Sequence, residues 1–271
     1  MSLFTPFSFI QAPSGGGGDA DADAFIAAAG ITDPTQQSAI QTLVTTFKAD
    51  GIWTKLQAFY PFVGGTASSH KWNLKDPRDL DAAYRLVFGP VTSHSANGFI
   101  NGGNVGNSYA DTFYEIGVDN TQNDFMFGLY VYSNTLENRH DFGYYNGTDD
   151  NLLALTFTSR AYANTKTFSY ISVANTDSRG MWNASFNSEA TLRFYHDGTE
   201  IANGSQSMPT NASGNHMVIG ASDRRSLGAG ITENSSKTYA CAWLGEGLSA
   251  SQNSDFYDAV QAYNTTLSRN V

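Results

Sequence analysis

The sequence predicts a mainly β protein built as one β-sandwich, on three observations. Short apolar segments recur at about 8–15-residue spacing with few helical patterns between them, which is the rhythm of a sandwich. Asn146-Gly147 and Asp197-Gly198 sit between such segments and favour tight hairpin turns, because both central positions of a type I′ turn need φ > 0. Aromatic residues make up 13% of the 271 residues, with 14 Tyr and 18 Phe, against 15% charged residues. That composition disfavours long Lys/Glu helices and favours strands with Tyr, Ser, Thr and Asn on their surface. A chain of this length can hide roughly 70–75% of its unfolded surface, enough for one large β domain with a smaller appendage.

In chain order, residues 1–18 read as an anchor peptide with a glycine linker, 19–62 as a helical unit, and 63–271 as the sandwich with a C-terminal helix. The first stretch carries Leu3, Phe4, Phe7, Phe9 and Ile10, interrupted by Pro6, and runs into Gly15–Gly18. Two readings stand: an edge strand folding back on its own domain, or a peptide that docks on a partner. The glycine leash favours the partner, since an edge strand does not need one. The stretch lacks the basic start and long apolar core of a signal peptide, which argues against ordinary Sec export.

Residues 19–30 read as a short helix with acidic residues in its first turn and Gly30 as its C-cap. Asp33 caps a second helix with Pro34 at its first position. In that helix Ile40, Leu43, Val44 and Phe47 share one apolar stripe. Residues 52–59 are expected to continue as a short turn of helix. Strands are expected at residues 67–74, 111–118, 125–133, 140–145, 152–158, 165–172, 181–186, 217–220 and 238–244, with a loop and a helical turn over 76–88. The hairpin at residues 190–201 puts Leu192, Phe194 and His196 on one face and Thr191, Arg193 and Tyr195 on the other. Ser249 with Gln252 forms a capping box that opens a final helix, whose stripe is Phe256, Val260, Tyr263 and Leu267. This helix should pack on the sandwich or on the second helix.

Two resemblances follow from these stretches. The layout from ATLRFYHDGTEI through MVIG and TYACAWL to a terminal helix resembles the second half of concanavalin A-like (laminin-G-like) jelly rolls. The segments AGITDPTQQSAIQTLV, GIWTKLQAFYPFVGGTASSHKWNLKDPRD and CAWLGEGLSASQNSDFYDAVQAYNTTL resemble a module of tailed-bacteriophage virion structural proteins, a small helical unit leading into a jelly roll. This second resemblance implies a place on a virion and says nothing of chemistry.

Catalytic patterns are missing from the sequence. A glycosidase of the laminarinase type would need E-x-D-x-x-E, which puts two carboxylates on one strand face. The nearest acidic groups are Asp149-Asp150, read as solvated turn positions, and Asp119 with Asp124 around a loop. The five histidines, His70, His94, His140, His196 and His216, show no helical metal spacing. There is no G-x-S-x-G elbow, and Gly15–Gly18 lacks the Lys-Ser/Thr of a phosphate loop. The single cysteine, Cys241, reads as a buried thiol. No metal or cofactor is assigned; calcium in the oxygen-rich loops 119–124 and 146–151 is the one candidate. A sugar site would need aromatic platforms with hydrogen-bonding neighbours, and Trp72, Tyr144, Tyr145 and Trp182, with Asn183, are the candidates.

The net charge of -10 repels phosphate backbones and argues against nucleic acid. No apolar run approaches the roughly 20 residues of a membrane span. The expectation is a non-enzymatic phage virion structural protein, a head or tail fibre or a capsid decoration. It attaches to other virion proteins through its N-terminal peptide, forms homo-oligomers and presents a lectin-like domain. The alternatives are an adhesin that binds a cell-surface glycan and, third, a divergent polysaccharide hydrolase.

Overall fold

The computed structural model describes residues 17–103, 107–121, 123–165, 169–187, 189–209 and 214–271. Among these residues the protein is mainly β. Two sheets, of eight and nine strands, pack face to face, and helices α1 (Ala20–Ala29), α2 (Pro34–Ala49) and the C-terminal one cover the outer face of the eight-stranded sheet.

The eight-stranded sheet runs Thr199–Ser205, Thr191–His196, Gly180–Asn187, Asp124–Val131, Thr238–Gly245, Gly98–Ile100, Ser93–Ser95, and Leu56–Tyr60 also pairs with Thr238–Gly245. The nine-stranded sheet runs Ile171–Ala174, Arg160–Asn164, Asp150–Phe157, Phe142–Tyr145, Val218–Ile219, Ala110–Asp111, Val87–Phe88, with Ser222–Asp223 and Ile231–Thr232 at its side. Strand alternation explains how one sheet serves two cores. Along Asp124–Val131, Phe125, Phe127, Leu129 and Val131 enter the space between the sheets, while Met126 and Tyr130 face the helices. Across the sheet, Trp243 and Met181 join Met126 on the helix side, and Leu244, Ala242 and Ala184 lie inside.

The helices form where their caps predict. Asp19 accepts from the Asp21 amide at 3.0 Å, and Gly30 closes α1 at φ 65°. Asp33 accepts from the Gln36 amide at 2.8 Å, and the α2 stripe is fully buried. A short helix, α3 (Ala67–His70), precedes α4 (Ala250–Thr266), whose Ser249–Gln252 capping box is present. Helix α4 packs on both α2 and the sheet. The hairpin turn at Asp197-Gly198 has φ 47° and 73°, as a type I′ turn requires.

Several expectations are corrected. Residues 52–59 do not continue the helix: Leu56–Tyr60 is a strand paired antiparallel with Thr238–Gly245. Its apolar positions imitate a helix stripe, but pairing with the central strand overrides that pattern. Residues 67–74 form no strand, because Thr66 and Ser69 cap each other and start α3. The expected strand at 111–118 stops at Asp111. There the Thr112 hydroxyl bonds to the Met217 carbonyl and Phe113 turns at φ 60°. The strand expected at 165–172 is replaced by Ile171–Ala174 and by Arg160–Asn164, which carries no strand signal of its own. The hairpin at Ser93–Ser95 and Gly98–Ile100 was likewise not expected.

Candidate functional site

Layering leaves one face free. Helices cover the outside of the eight-stranded sheet, whereas among the described residues no helix covers the outside of the nine-stranded one. Along Asp150–Phe157, Leu153 and Leu155 point into the core, so Asp150, Leu152 and Ala154 point outward. On the neighbouring strand Ala161 and Ala163 point in and Tyr162 points out.

A cavity of about 320 Å³ opens on this face, lined by His140, Leu152, Ala154, Phe157, Tyr162 and Tyr170. Leu152 and Ala154 make an apolar floor. The walls are aromatic and mutually perpendicular: Phe157 and Tyr162 lie 6.1 Å apart at 89°, and Tyr162 and Tyr170 lie 5.9 Å apart at 86°. Such edge-to-face contacts hold the rings in place. Tyr170 is 38% exposed, so its wall meets solvent.

Polar groups converge beside these walls. The Tyr170 hydroxyl donates to Asp150 Oδ2 at 2.6 Å, and Asp150 is only 4% exposed. Its other oxygen, Oδ1, is buried without a hydrogen-bond partner. Burial pushes the Asp150 carboxyl up to about 6, against the opposing pull of the Tyr170 hydrogen bond and the Arg224 charge. His140 Nδ1 is also buried and unpartnered. Burial, and then the Arg224 charge, bring this imidazole down to about 4, so it is neutral at physiological pH. The Arg224 guanidinium lies 5.4 Å from the Tyr145 ring centre and 3.7 Å from Glu233 Oε1. An apolar floor, aromatic walls and a few unsatisfied polar atoms suit a small ring-shaped ligand with hydrogen-bonding edges.

The sequence candidates fall in different places. Tyr145 is half-buried at the margin of this face, paired across the ladder with Asp150. Tyr144, its neighbour, points the other way and is buried between the sheets. Trp182 is 1% exposed, donates its indole N–H to the Ser178 carbonyl and stacks on His196 at 3.8 Å. Burial therefore removes Tyr144 and Trp182 as surface platforms. Asn183 is buried too, bridging Asn253 and the Trp243 indole. Trp72 sits half-buried against the helical layer, with the Lys71 ammonium 4.4 Å over its ring. Leu3, Phe4, Phe7, Phe9 and Ile10 lie outside the described residues.

Asp150 is not the solvated turn residue expected, since it opens a strand. Four side chains of the calcium candidate loops have an oxygen engaged by backbone amides. Asp119 accepts from Glu115, Asn120 from Gly117, Asp124 from Gly247, and Asn146 from both Thr148 and Asp149. Among the described residues no cluster of His, Cys, Asp or Glu has the arrangement of a metal site, and no helix is long and apolar enough to cross a membrane. Burial pushes the Cys241 thiol up to about 11, which makes it inert. His140, Phe157, Tyr162 and Tyr170 were missed because only the register says which residues share the outer face.

No protein family and no curated protein matches the sequence. Among solved structures, the chain is similar to a Trypanosoma rangeli sialidase in complex with 2,3-difluorosialic acid, with a TM-score of 0.50 and 12% identity over 82% of this chain and 38% of that one. It is also similar to the binding domain of Paraclostridial Mosquitocidal Protein 1, with a TM-score of 0.47 and 12% identity over 78% of this chain and 53% of that one. A third is domain 4 of a GH43 extracellular arabinanase from Geobacillus stearothermophilus, with a TM-score of 0.41 and 13% identity over 74% of this chain and 98% of that one. The chain thus spans well under two thirds of the first two, and what it shares with the sialidase is its fold, a sandwich-type β domain.

Proposed function

We propose that this protein is a non-enzymatic glycan-binding module, carried as a structural component of a phage virion. The observation that supports glycan binding is the aromatic cavity on the uncovered sheet face, with Asp150 and His140 beside it. Sugars bind through their apolar ring faces on aromatic side chains and through hydroxyls on polar atoms, and both kinds of partner meet here. Hydrolysis is not part of the proposal. A glycosidase would need a second carboxylate across the scissile bond, and among the described residues Asp150 is the carboxylate that a hydrogen bond joins to a cavity wall. The placement on a virion rests on the three sequence segments that resemble phage structural proteins. In this reading Leu3, Phe4, Phe7, Phe9 and Ile10 dock on a partner subunit, and homo-oligomers multiply weak sugar contacts into avidity.

A glycan array tests the first part. The full chain should bind a subset of immobilised glycans, and Tyr162→Ala should abolish those signals while keeping the melting temperature within a few degrees. Binding unchanged by Tyr162→Ala would place any glycan site elsewhere, and a blank array would end the reading. The second part is tested by a chain beginning at Asp19, which should fold normally but fail to join particles. Assembly without residues 1–18 would overturn the anchor.

A further inference from the structure

Resting on the glycan-binding reading, we infer that Asp150 is the polar recognition group of the cavity and that Tyr170 is its latch. The Tyr170 hydroxyl donates to Asp150 Oδ2 at 2.6 Å. A hydroxyl of an uncharged sugar ring takes its place.

The geometry supplies both halves of this exchange. Asp150 shares the outward strand face with the floor residues Leu152 and Ala154, two and four residues on, and lies behind the Tyr170 wall, to which its carboxylate is hydrogen-bonded. Tyr170, the most exposed of the walls, lies over it. Asp150 Oδ1 is sealed and unpartnered, which makes the carboxylate a strong acceptor with spare capacity. Swinging Tyr170 outward opens the carboxylate and widens the cavity in one movement.

The charges around Asp150 select for a neutral ligand. It is faced by Tyr170 through the hydrogen bond, and by Tyr145 from the adjacent strand. Arg224, above the Tyr145 ring, is the cation that acts on it, and Arg224 is shared with Glu233. His140, on the cavity wall, is neutral. No ion pair reaches Asp150 among the described residues, so its charge would repel a carboxylated sugar. A neutral sugar offers donors and no opposing charge.

Titration calorimetry with the methyl glycosides of glucose, galactose, mannose and glucuronic acid tests this. At least one neutral glycoside should bind, with the glucuronide weaker. Asp150→Asn should weaken the neutral ligand by about tenfold or more, because a charged acceptor is lost. Tyr170→Phe should tighten it several-fold, because the competing hydroxyl is gone. For the wild type, affinity should fall as pH drops from 7.5 to 5, through the value near 6 where Asp150 takes up its proton. That pH profile needs no variant, so it stands even if one fails to fold. Should Tyr162→Ala abolish binding while Asp150→Asn and Tyr170→Phe leave it unchanged, the latch is wrong and the glycan site survives. If none of the glycosides binds and the array is blank, both fall.

Discussion

Arg269 is fully buried, and its guanidinium reaches three amide oxygens and the Cys241 sulfur. Its guanidinium donates to the carbonyls of Pro61 at 2.6 Å and Phe62 at 2.9 Å, and to Asn264 Oδ1 at 2.8 Å. These oxygens lie just past the Leu56–Tyr60 strand and at the end of α4, so one side chain ties the helix to the sheet. Arg269→Ala would strand the Phe62 carbonyl and Asn264 Oδ1, leave the Pro61 carbonyl to the Tyr263 hydroxyl, and should cost about 3 kcal/mol, read as a lower urea midpoint with unchanged slope. Nothing in the sequence marks this residue, because a terminal arginine looks like a surface charge. The aromatic residues teach the same lesson. Tyr144 and Tyr145 are adjacent and alike, and only the strand's parity puts one in the core and the other at the site. Asp150 was misplaced for the same reason, as its burial comes from Tyr170 and from neighbours far along the chain.

Elements with local punctuation were legible, and those held by distant partners were not. The acidic first turn and Gly30 cap of α1, and the caps at Asp33 and Ser249, located three helices, and Asp-Gly located the Thr191–Ser205 hairpin. Leu56–Tyr60 was misread because what makes it a strand lies nearly 190 residues on. The hairpin joining Asp150–Phe157 to Arg160–Asn164 was missed because its turn is Thr158-Ser159, with φ 50° and 58° and neither Gly nor Asn. That turn carries strain, since a β-branched residue resists positive φ. Replacing Thr158-Ser159 with Asn-Gly should therefore stabilise the protein by about 0.5–1 kcal/mol, visible as a higher melting temperature. In the opposite direction, Ser249→Ala removes the hydroxyl half of the α4 capping box, leaving only the Gln252 side chain on the residue-249 amide, and should cost about 1 kcal/mol.

Acid should weaken the whole molecule. Burial, then the charges of His94 and Arg269, bring His70 down to about 3, and His140 sits near 4. Below about pH 6.5 the unfolded chain binds protons that these folded imidazoles refuse, so stability falls with pH by up to about 1.4 kcal/mol per unit for each. Asp150 and His216, both raised, act the other way, and the Asp150 contribution grows as the pH falls through about 6 and is complete below the ordinary carboxylate value. The two depressed histidines each shift further than Asp150 does, so the melting temperature should decline from pH 7 to 4.5. His70→Asn should flatten that decline, whatever it costs at neutral pH. The helical layer has a mechanical consequence of its own. The N-terminal helix α1 packs on α2, and the aromatic cavity opens on the opposite face. Tension between a tether at that end and a seated ligand would cross the full thickness of the sandwich. Its first link is α1, a ten-residue helix held to α2 by Lys48 with Asp19 and Asp21 and by Gln41 with Asp23. Pulled from its N-terminal end, α1 peels away contact by contact and pays out about 20 Å of slack before any strand ladder is loaded. In an optical trap this would register as a small, reversible early extension, a shock absorber in series with a stiff body.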